Sequence, residues 1–219
     1  MTLSEEDYIK AIYHLGKGDK QLVATNAIAE QMDTKPSSVT DMIKKLSEKG
    51  LVNYRKYQGV QLTGYGKSIA LSIIRKHRLW EVFLVDTLDF AWDEVHEVAE
   101  QLEHIKSEKL INKLDTFLGF PRIDPHGDPI PDKNGEIKKV NKVLISDSKV
   151  GEYGVFVGVM NSSSDFLRYL DKLNLELGTK IEIISRESFD GSFQVKANKE
   201  IHVLSSKAAM NMYIQTLLS

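Results

Sequence analysis

Residues 25–50 read TNAIAEQMDTKPSSVTDMIKKLSEKG. Thr25 or Asn26 is placed to cap a short helix over Ala27–Met32. Asp33-Thr34-Lys35-Pro36 supplies turn residues. Ser37 then caps a second helix to Lys49, with Val39, Met42, Ile43 and Leu46 along one face. Gly50 stands where a left-handed C-terminal glycine ends a helix.

Working outward, Ser4 caps an earlier helix to Leu15 whose apolar positions include Tyr8, Ile9, Ile12 and Tyr13. Downstream, Leu51-Val52 and Val60-Gln61-Leu62 read as two short strands joined by a turn at Tyr54–Gly59. Helix, short helix, turn, helix and hairpin form the order of a winged helix-turn-helix. In that arrangement the last helix enters the DNA major groove and the hairpin lies beside it. Candidate contacts are Ser37, Ser38, Thr40, Asp41, Lys44 and Lys45 on the helix, with Arg55, Lys56 and Tyr57 on the wing. Lysines and hydroxyls mostly position phosphates, while residues near the helix start read bases.

Charge supports the same reading. The formal net charge is -2, but residues 35–78 carry 10 basic and 2 acidic groups, whereas residues 81–140 carry 7 and 14. A basic segment beside an acidic one suits separate polyanion and cation binding. The blander account is two solvated faces.

Thr63 can cap a long helix from Gly64 to about Val85, and a second helical stretch runs from near Asp93 towards Leu118, with a kink at Ser107. Two such helices suit dimerisation, matching two operator half-sites. Four of the five prolines fall in a loop at 119–135. Five short strand-like runs between Val143 and Val203, a helix from Asp165 and a closing helix over Lys207–Leu218 indicate a small antiparallel, barrel-like domain.

Four of the six histidines lie between residues 77 and 126. His96, Glu100, Glu103 and His104 follow i, i+4, i+7, i+8 spacing and share a helical face, and His77 and Glu81 repeat the i, i+4 pattern. Such a line of imidazoles and carboxylates is costly to bury without a cation. The chain has no cysteine, which excludes disulfides, thiolate metal sites and cysteine nucleophiles. Oxygen- and nitrogen-rich ligation suits Mn2+, Fe2+ or Zn2+ and, without cysteine, leans towards Mn2+ or Fe2+ and away from structural zinc. A metallohydrolase using metal-bound water is a weak alternative, because no His-Glu-x-x-His motif or nucleophile elbow is present. A metal-independent winged-helix regulator is the other. The start of the chain lacks a secretory pattern and no 18-residue apolar run occurs, so a cytoplasmic protein without a membrane span is expected.

These motifs together resemble the manganese- and iron-dependent repressors typified by the diphtheria toxin repressor and the manganese transport regulator. The resemblance rests on Glu6-Asp7-Tyr8-Ile9 with Ile12-Tyr13, on Ser37-Ser38-Val39-Thr40, and on Leu62-Thr63-x-x-Gly66. It continues through Arg75-Lys76-His77-Arg78-Leu79-x-Glu81, His96-x-x-x-Glu100-x-x-Glu103-His104 and Gly119-Phe120-Pro121-x-x-x-Pro125-His126-Gly127. It covers nearly the whole chain and is strongest to the three-domain, manganese-responsive subgroup.

The resemblance implies an α+β chain with three parts: a winged helix-turn-helix (1–63), a helical metal-binding and dimerisation domain with its Pro-rich loop (64–140), and an SH3-like barrel (141–219). It implies a homodimer that binds double-stranded operator DNA when loaded with metal and represses metal-uptake genes. Carried over by motif, the primary ligands would be Asp7, Glu100, Glu103 and His104, with Glu100 replacing the cysteine of iron-responsive relatives. A second site would draw on His77, Glu81, His96, Asp124, His126 and Asp165, with Asp124 at a position often held by cysteine. Lys10 stands where some shorter manganese regulators have a glutamate, which argues against a closely spaced pair of ions built with that glutamate.

Overall fold

The computed structural model describes residues 1–216 apart from Asp19, Tyr57 and Lys139. The chain forms two compact units. One comprises Met1–His77, Glu100–Ile111 and Pro131–Ile137; the other comprises Arg78–Ala99, Asn112–Ile130 and Lys138–Ser219.

The first unit opens with α1 (Leu3–Leu15), α2 (Thr25–Gln31), α3 (Pro36–Glu48) and the hairpin β1 (Val52–Arg55)–β2 (Gly59–Leu62). Thr2, not Ser4, caps α1: its hydroxyl accepts from Glu5 N while the Glu5 carboxylate accepts from Thr2 N. This reciprocal pair satisfies two otherwise orphaned amides and starts the helix earlier than expected. Helix α3 likewise begins at Pro36, whose fixed φ and missing N–H suit the first helical position. Val23 pairs with Val60 through two backbone hydrogen bonds (2.8 and 2.9 Å), adding a short third strand to the wing. Ile9, Ile12, Ile28, Val39, Ile43, Leu46 and Val60 are nearly or fully buried and fill one core. Their burial fixes which faces of α1 and α3 point inward, and so which face of α3 stays wet.

Helix α4 (Gly64–Leu88) follows. The Thr63 hydroxyl accepts from Gly66 N at 3.0 Å and sits 2.8 Å from the Gly50 carbonyl, to which it donates. Gly66 is required here by close approach, since a Cβ would fall 2.0 Å from the Leu51 carbonyl oxygen. The Leu62-Thr63-x-x-Gly66 motif therefore locks the start of α4 onto the base of the wing.

The helical stretch expected from Asp93 towards Leu118, with a kink at Ser107, is two helices, α5 (Val95–Leu102) and α6 (Glu108–Phe117), interrupted over residues 103–107. Glu103, fully buried, sits in the break between them. Hydrophobic periodicity runs across the gap, which is why a kink and not a full break was expected there.

In the second unit, β3 (Val143–Leu144), β4 (Tyr153–Val159), α7 (Ser164–Lys172), β5 (Lys180–Arg186), β6 (Phe193–Ala197), β7 (Glu200–Leu204), α8 (Ser206–Ala209) and β8 (Met212–Thr216) follow in order. The strands form one antiparallel sheet in the order β3-β8-β4-β5-β6-β7. Its core includes Phe156, Ile181, Ile183, Phe193, Val195, Met212 and Ile214, covered by Leu167 and Leu170 of α7. The expected closing helix over Lys207–Leu218 is replaced by the single turn of α8 and by β8; Leu217 and Leu218 lie outside the described residues. Alternation of buried Met212 and Ile214 with half-exposed Tyr213 is the period-two signal that the helical reading overlooked. The α+β class expected from the sequence is the one observed. No helix among the described residues is long and apolar enough to cross a membrane.

Candidate metal centres and nucleic-acid interface

In the first unit, α1 contributes Glu6, Asp7 and Lys10, and the segment from the end of α5 into the break contributes Glu100, Glu103 and His104. Asp7, Glu103 and His104 each place one ligand-type atom within 4.8 Å of the others. His104 is held by Glu6, whose Oε2 lies 2.8 Å from Nδ1. A carboxylate can only accept, so Nδ1 carries the hydrogen and Nε2 presents its lone pair when the ring is neutral. That lone pair faces Asp7 Oδ1 at 3.1 Å.

Glu103 is arranged in the same way. Its Oε2 accepts from His77 Nδ1 at 2.6 Å. Lys10 Nζ lies 2.8 Å from both of its oxygens but meets hydrogen-bond geometry only towards Oε2. Asp7 Oδ1 and Glu103 Oε1 are therefore buried without any hydrogen-bond partner. Two orphaned carboxylate oxygens around an imidazole lone pair repel one another unless a cation lies between them, and the donor set fits a hard or borderline divalent ion.

The titration behaviour agrees. Burial raises Asp7 above its ordinary value, and the Glu103 and Glu100 charges add to this against His104 and Lys10. Burial would also raise Glu103, but the His77 hydrogen bond and Lys10 outweigh it and hold this carboxyl below the usual range. Glu100, a ligand implied by family resemblance, does not join the three. Its Oε1 is held by Lys10 Nζ at 2.5 Å. Glu6 was not singled out from the sequence. The clue was its position four residues before Lys10 and beside Asp7, but a carboxylate that orients a distant histidine has no local spacing signature.

In the second unit, Glu81 of α4 meets Asp124 and His126 of the Pro-rich loop, all three buried. His126 Nε2 donates to the Trp92 carbonyl at 2.7 Å, which leaves Nδ1 facing Glu81 Oε1 at 3.6 Å. Asp124 Oδ1 accepts from the backbone amides of His126 and Asp128, both at 2.9 Å, so the carboxylate also shapes the loop. Burial and the Glu81 charge push Asp124 up to about 6, against Arg78, whose Nε lies 3.2 Å away. Burial lowers His126, but the Glu81 hydrogen bond and charge, together with Asp124, raise it overall. His96 stands at the rim, with Nδ1 3.5 Å from Glu81 Oε1.

One residue expected at this second site is elsewhere. Asp165 is fully exposed on α7, where Arg168 pairs with it at 3.3 Å. At a helix N-terminus an acidic residue already has a favourable backbone dipole, and this accounts for Asp165 without a metal.

The exposed face of α3 carries Ser37, Ser38, Asp41, Lys44 and Lys45, and the wing exposes Arg55 and Lys56. Thr40 is half-buried and its hydroxyl donates to the Pro36 carbonyl at 2.9 Å, within its own helix. Lys44 is loosely paired with Asp41 at 3.4 Å. Tyr57, also a candidate contact, lies outside the described residues. Lys45 and Lys49 turn towards Glu5 on α1, at 2.9 and 2.7 Å. Glu5, which carried no expectation from the sequence, is fully buried, and its carboxyl is lowered to about 2 by these two lysines.

Residues 1–60 match the iron-dependent repressor N-terminal DNA-binding domain. Residues 63–132 match the iron-dependent repressor metal-binding and dimerisation domain, and residues 143–216 match the FeoA domain. The transcriptional regulator MntR of Oceanobacillus iheyensis is 33% identical over 152 residues, covering 69% of this chain and 96% of that protein. The iron-dependent repressor IdeR of Mycobacterium tuberculosis is 35% identical over 127 residues, 58% of this chain and 54% of that one, so the chain spans about half its length. A manganese-dependent transcriptional repressor solved with manganese superposes with a TM-score of 0.88 at 33% identity, over 97% of this chain and all of that one. With a DNA-binding domain, a metal-binding and dimerisation domain and a FeoA domain in that order, the chain belongs to the iron-dependent repressor family of metal-dependent transcriptional repressors.

Proposed function

We propose that this protein is a cytoplasmic, manganese-responsive repressor that binds operator DNA as a metal-loaded homodimer and shuts off genes for metal uptake. The observation that carries this reading is the pair of buried oxygens that lack a hydrogen-bond partner, Asp7 Oδ1 and Glu103 Oε1, beside His104. Asp7, Glu103 and His104 would hold the ion, joined by Glu100. Glu81, Asp124 and His126, with His96 at the rim, would form a second centre. The absence of any thiolate supports Mn2+ over softer ions.

A bound divalent ion would supply the positive charge that joins these ligands and screens their mutual repulsion. The remaining work falls to the chain. Asp7 fastens α1 to the segment carrying Glu103 and His104, Glu6 holds the His104 ring in the tautomer that exposes Nε2, and His77 fixes Glu103. The ligands come from both ends of the winged helix's supporting frame, so occupancy favours one placement of α1, and α1 packs on α2 and β2. Regulation then requires only that the DNA-competent placement binds the ion more tightly. The ranges 1–63, 64–140 and 141–219 are the domain limits proposed for these tasks.

The test is operator affinity across an Mn2+ titration at fixed ionic strength, for the parent chain, Asp7→Ala and Glu103→Ala. The expected result is metal-dependent binding by the parent and its loss in both variants. Binding by the parent that ignores metal would favour a metal-independent winged-helix regulator.

A further inference from the structure

Lys10 lies on α1 one turn beyond Asp7, with its side chain largely buried. Its ammonium contacts Glu100 Oε1 at 2.5 Å and Glu103 Oε2 at 2.8 Å. Glu103 is completely buried, so this ammonium is one of the few charges able to compensate it. Around it, Glu6, Asp7, Glu100 and Glu103 bring four carboxylates to one histidine pair, His77 and His104. A cluster of that composition cannot stay assembled without positive charge inside it. Lys10 supplies that charge from within the chain. It also explains the position of Glu100: the carboxylate that would complete the Asp7–Glu103–His104 set is turned towards Lys10 instead.

From this geometry we infer that Lys10 is a tethered counter-cation that competes with the divalent ion for Glu100 and Glu103, and so sets the metal concentration at which the regulator responds. The inference rests on the metal-binding reading above. In the metal-free chain, Lys10 holds the acidic cluster together. To recruit Glu100, an entering ion must displace the ammonium, which stays charged and swings to solvent. The exchange makes affinity weaker than the bare ligand set would give.

The experiment compares the full-length parent chain with Lys10→Met and Lys10→Arg. Mn2+ affinity is measured by competition with a chromophoric chelator, and thermal melting is followed with and without metal. Lys10→Met should bind Mn2+ about tenfold or more tightly than the parent, and its metal-free form should melt earlier while its metal-loaded form does not. Lys10→Arg, which keeps the charge, should stay close to the parent. The gain in Lys10→Met should vanish when Glu103→Gln is added. Unchanged or weakened Mn2+ binding in a folded Lys10→Met would overturn the inference. Should Lys10→Met fail to fold without metal, Lys10→Gln refolded in Mn2+ and then titrated with chelator gives the same comparison. A parent chain that takes up no Mn2+ would instead sink the metal-binding reading itself, so the two failures are distinct.

Discussion

Glu5, at the start of α1, accepts two hydrogen bonds from Lys49, just past the end of α3, at 2.7 and 2.9 Å. Lys45, one turn earlier, reaches the same carboxylate at 2.9 Å. The helix that carries Asp7 is thus fastened to α3, the helix proposed to face DNA, by a buried carboxylate gripping two lysines. Glu5→Gln should destabilise the protein at pH 7. The lysines are half-exposed, so solvent screens the interaction and the cost should be about 1 kcal/mol. The pH dependence follows from the lowered carboxyl, which falls from 4.5 to about 2. Its contribution is fully present above pH 4.5 and is lost as the pH falls through 2. The stability gap between parent and Glu5→Gln in urea melts should therefore be open at pH 7 and narrow below pH 4.5. A gap independent of pH would mean that packing, not charge, holds the two helices.

The same clamp separates two neighbouring lysines that look equivalent in sequence. Lys44 is exposed and only weakly engaged by Asp41, whereas Lys45 is drawn back to Glu5. Lys44→Ala should weaken operator binding and lower the slope of log affinity against log salt by about 1, the mark of a lost phosphate contact. Lys45→Ala should change that slope less and cost folding stability instead. Equal slopes for the two variants would mean that Lys45 leaves Glu5 when DNA binds.

The contrast shows what the sequence could carry. The helix-turn-helix was legible because Val39, Ile43 and Leu46 repeat at helical spacing and Pro36 and Gly50 punctuate it. The residue types along His96–His104 were legible, but the single helical face expected for them is not formed: α5 ends at Leu102, and Glu103 and His104 lie in the break that follows. A kink at Ser107 was expected, but a full break beginning at Glu103 was not, because Ile111 and Leu114 resume an apolar stripe beyond it. Glu5 was silent, and nothing local gave Glu6 or Lys10 their partners. Each is an ordinary charge on an amphipathic helix until a partner some forty to a hundred positions away comes within about 3 Å. Asp165 failed in the opposite direction: a motif match proposed a ligand where a helix N-terminus and Arg168 already satisfy the carboxylate.

The second cluster gives a direct check on that difference. His126→Ala and Asp124→Asn should each remove one equivalent of bound Mn2+ per chain, measured by elemental analysis after equilibrium dialysis. Asp165→Ala should leave the count unchanged. Loss of an equivalent in Asp165→Ala would mean that α7 moves to the site when metal binds.

The loop that supplies this cluster depends on Gly127, which follows His126 with φ of 84°. A Cβ at this position would fall 2.0 Å from the Val157 carbonyl oxygen and 2.4 Å from Gly158 Cα. Both are backbone atoms of β4, so no side-chain rotation relieves the clash. The loop is also stitched to that strand by Val159 N donating to the His126 carbonyl at 3.0 Å. Gly127→Ala must therefore push the loop off β4 or strain it in place, at about 2–4 kcal/mol. For a chain of this length that lowers Tm by roughly 5–10 °C. His126 and Asp124 would move with the loop, so the variant should also lose the Mn2+ equivalent assigned to them. The Asp7–Glu103–His104 centre draws on none of these residues and should keep its ion. A variant that melts early yet retains both equivalents would show that the loop shifts as a rigid piece with its ligands still in register.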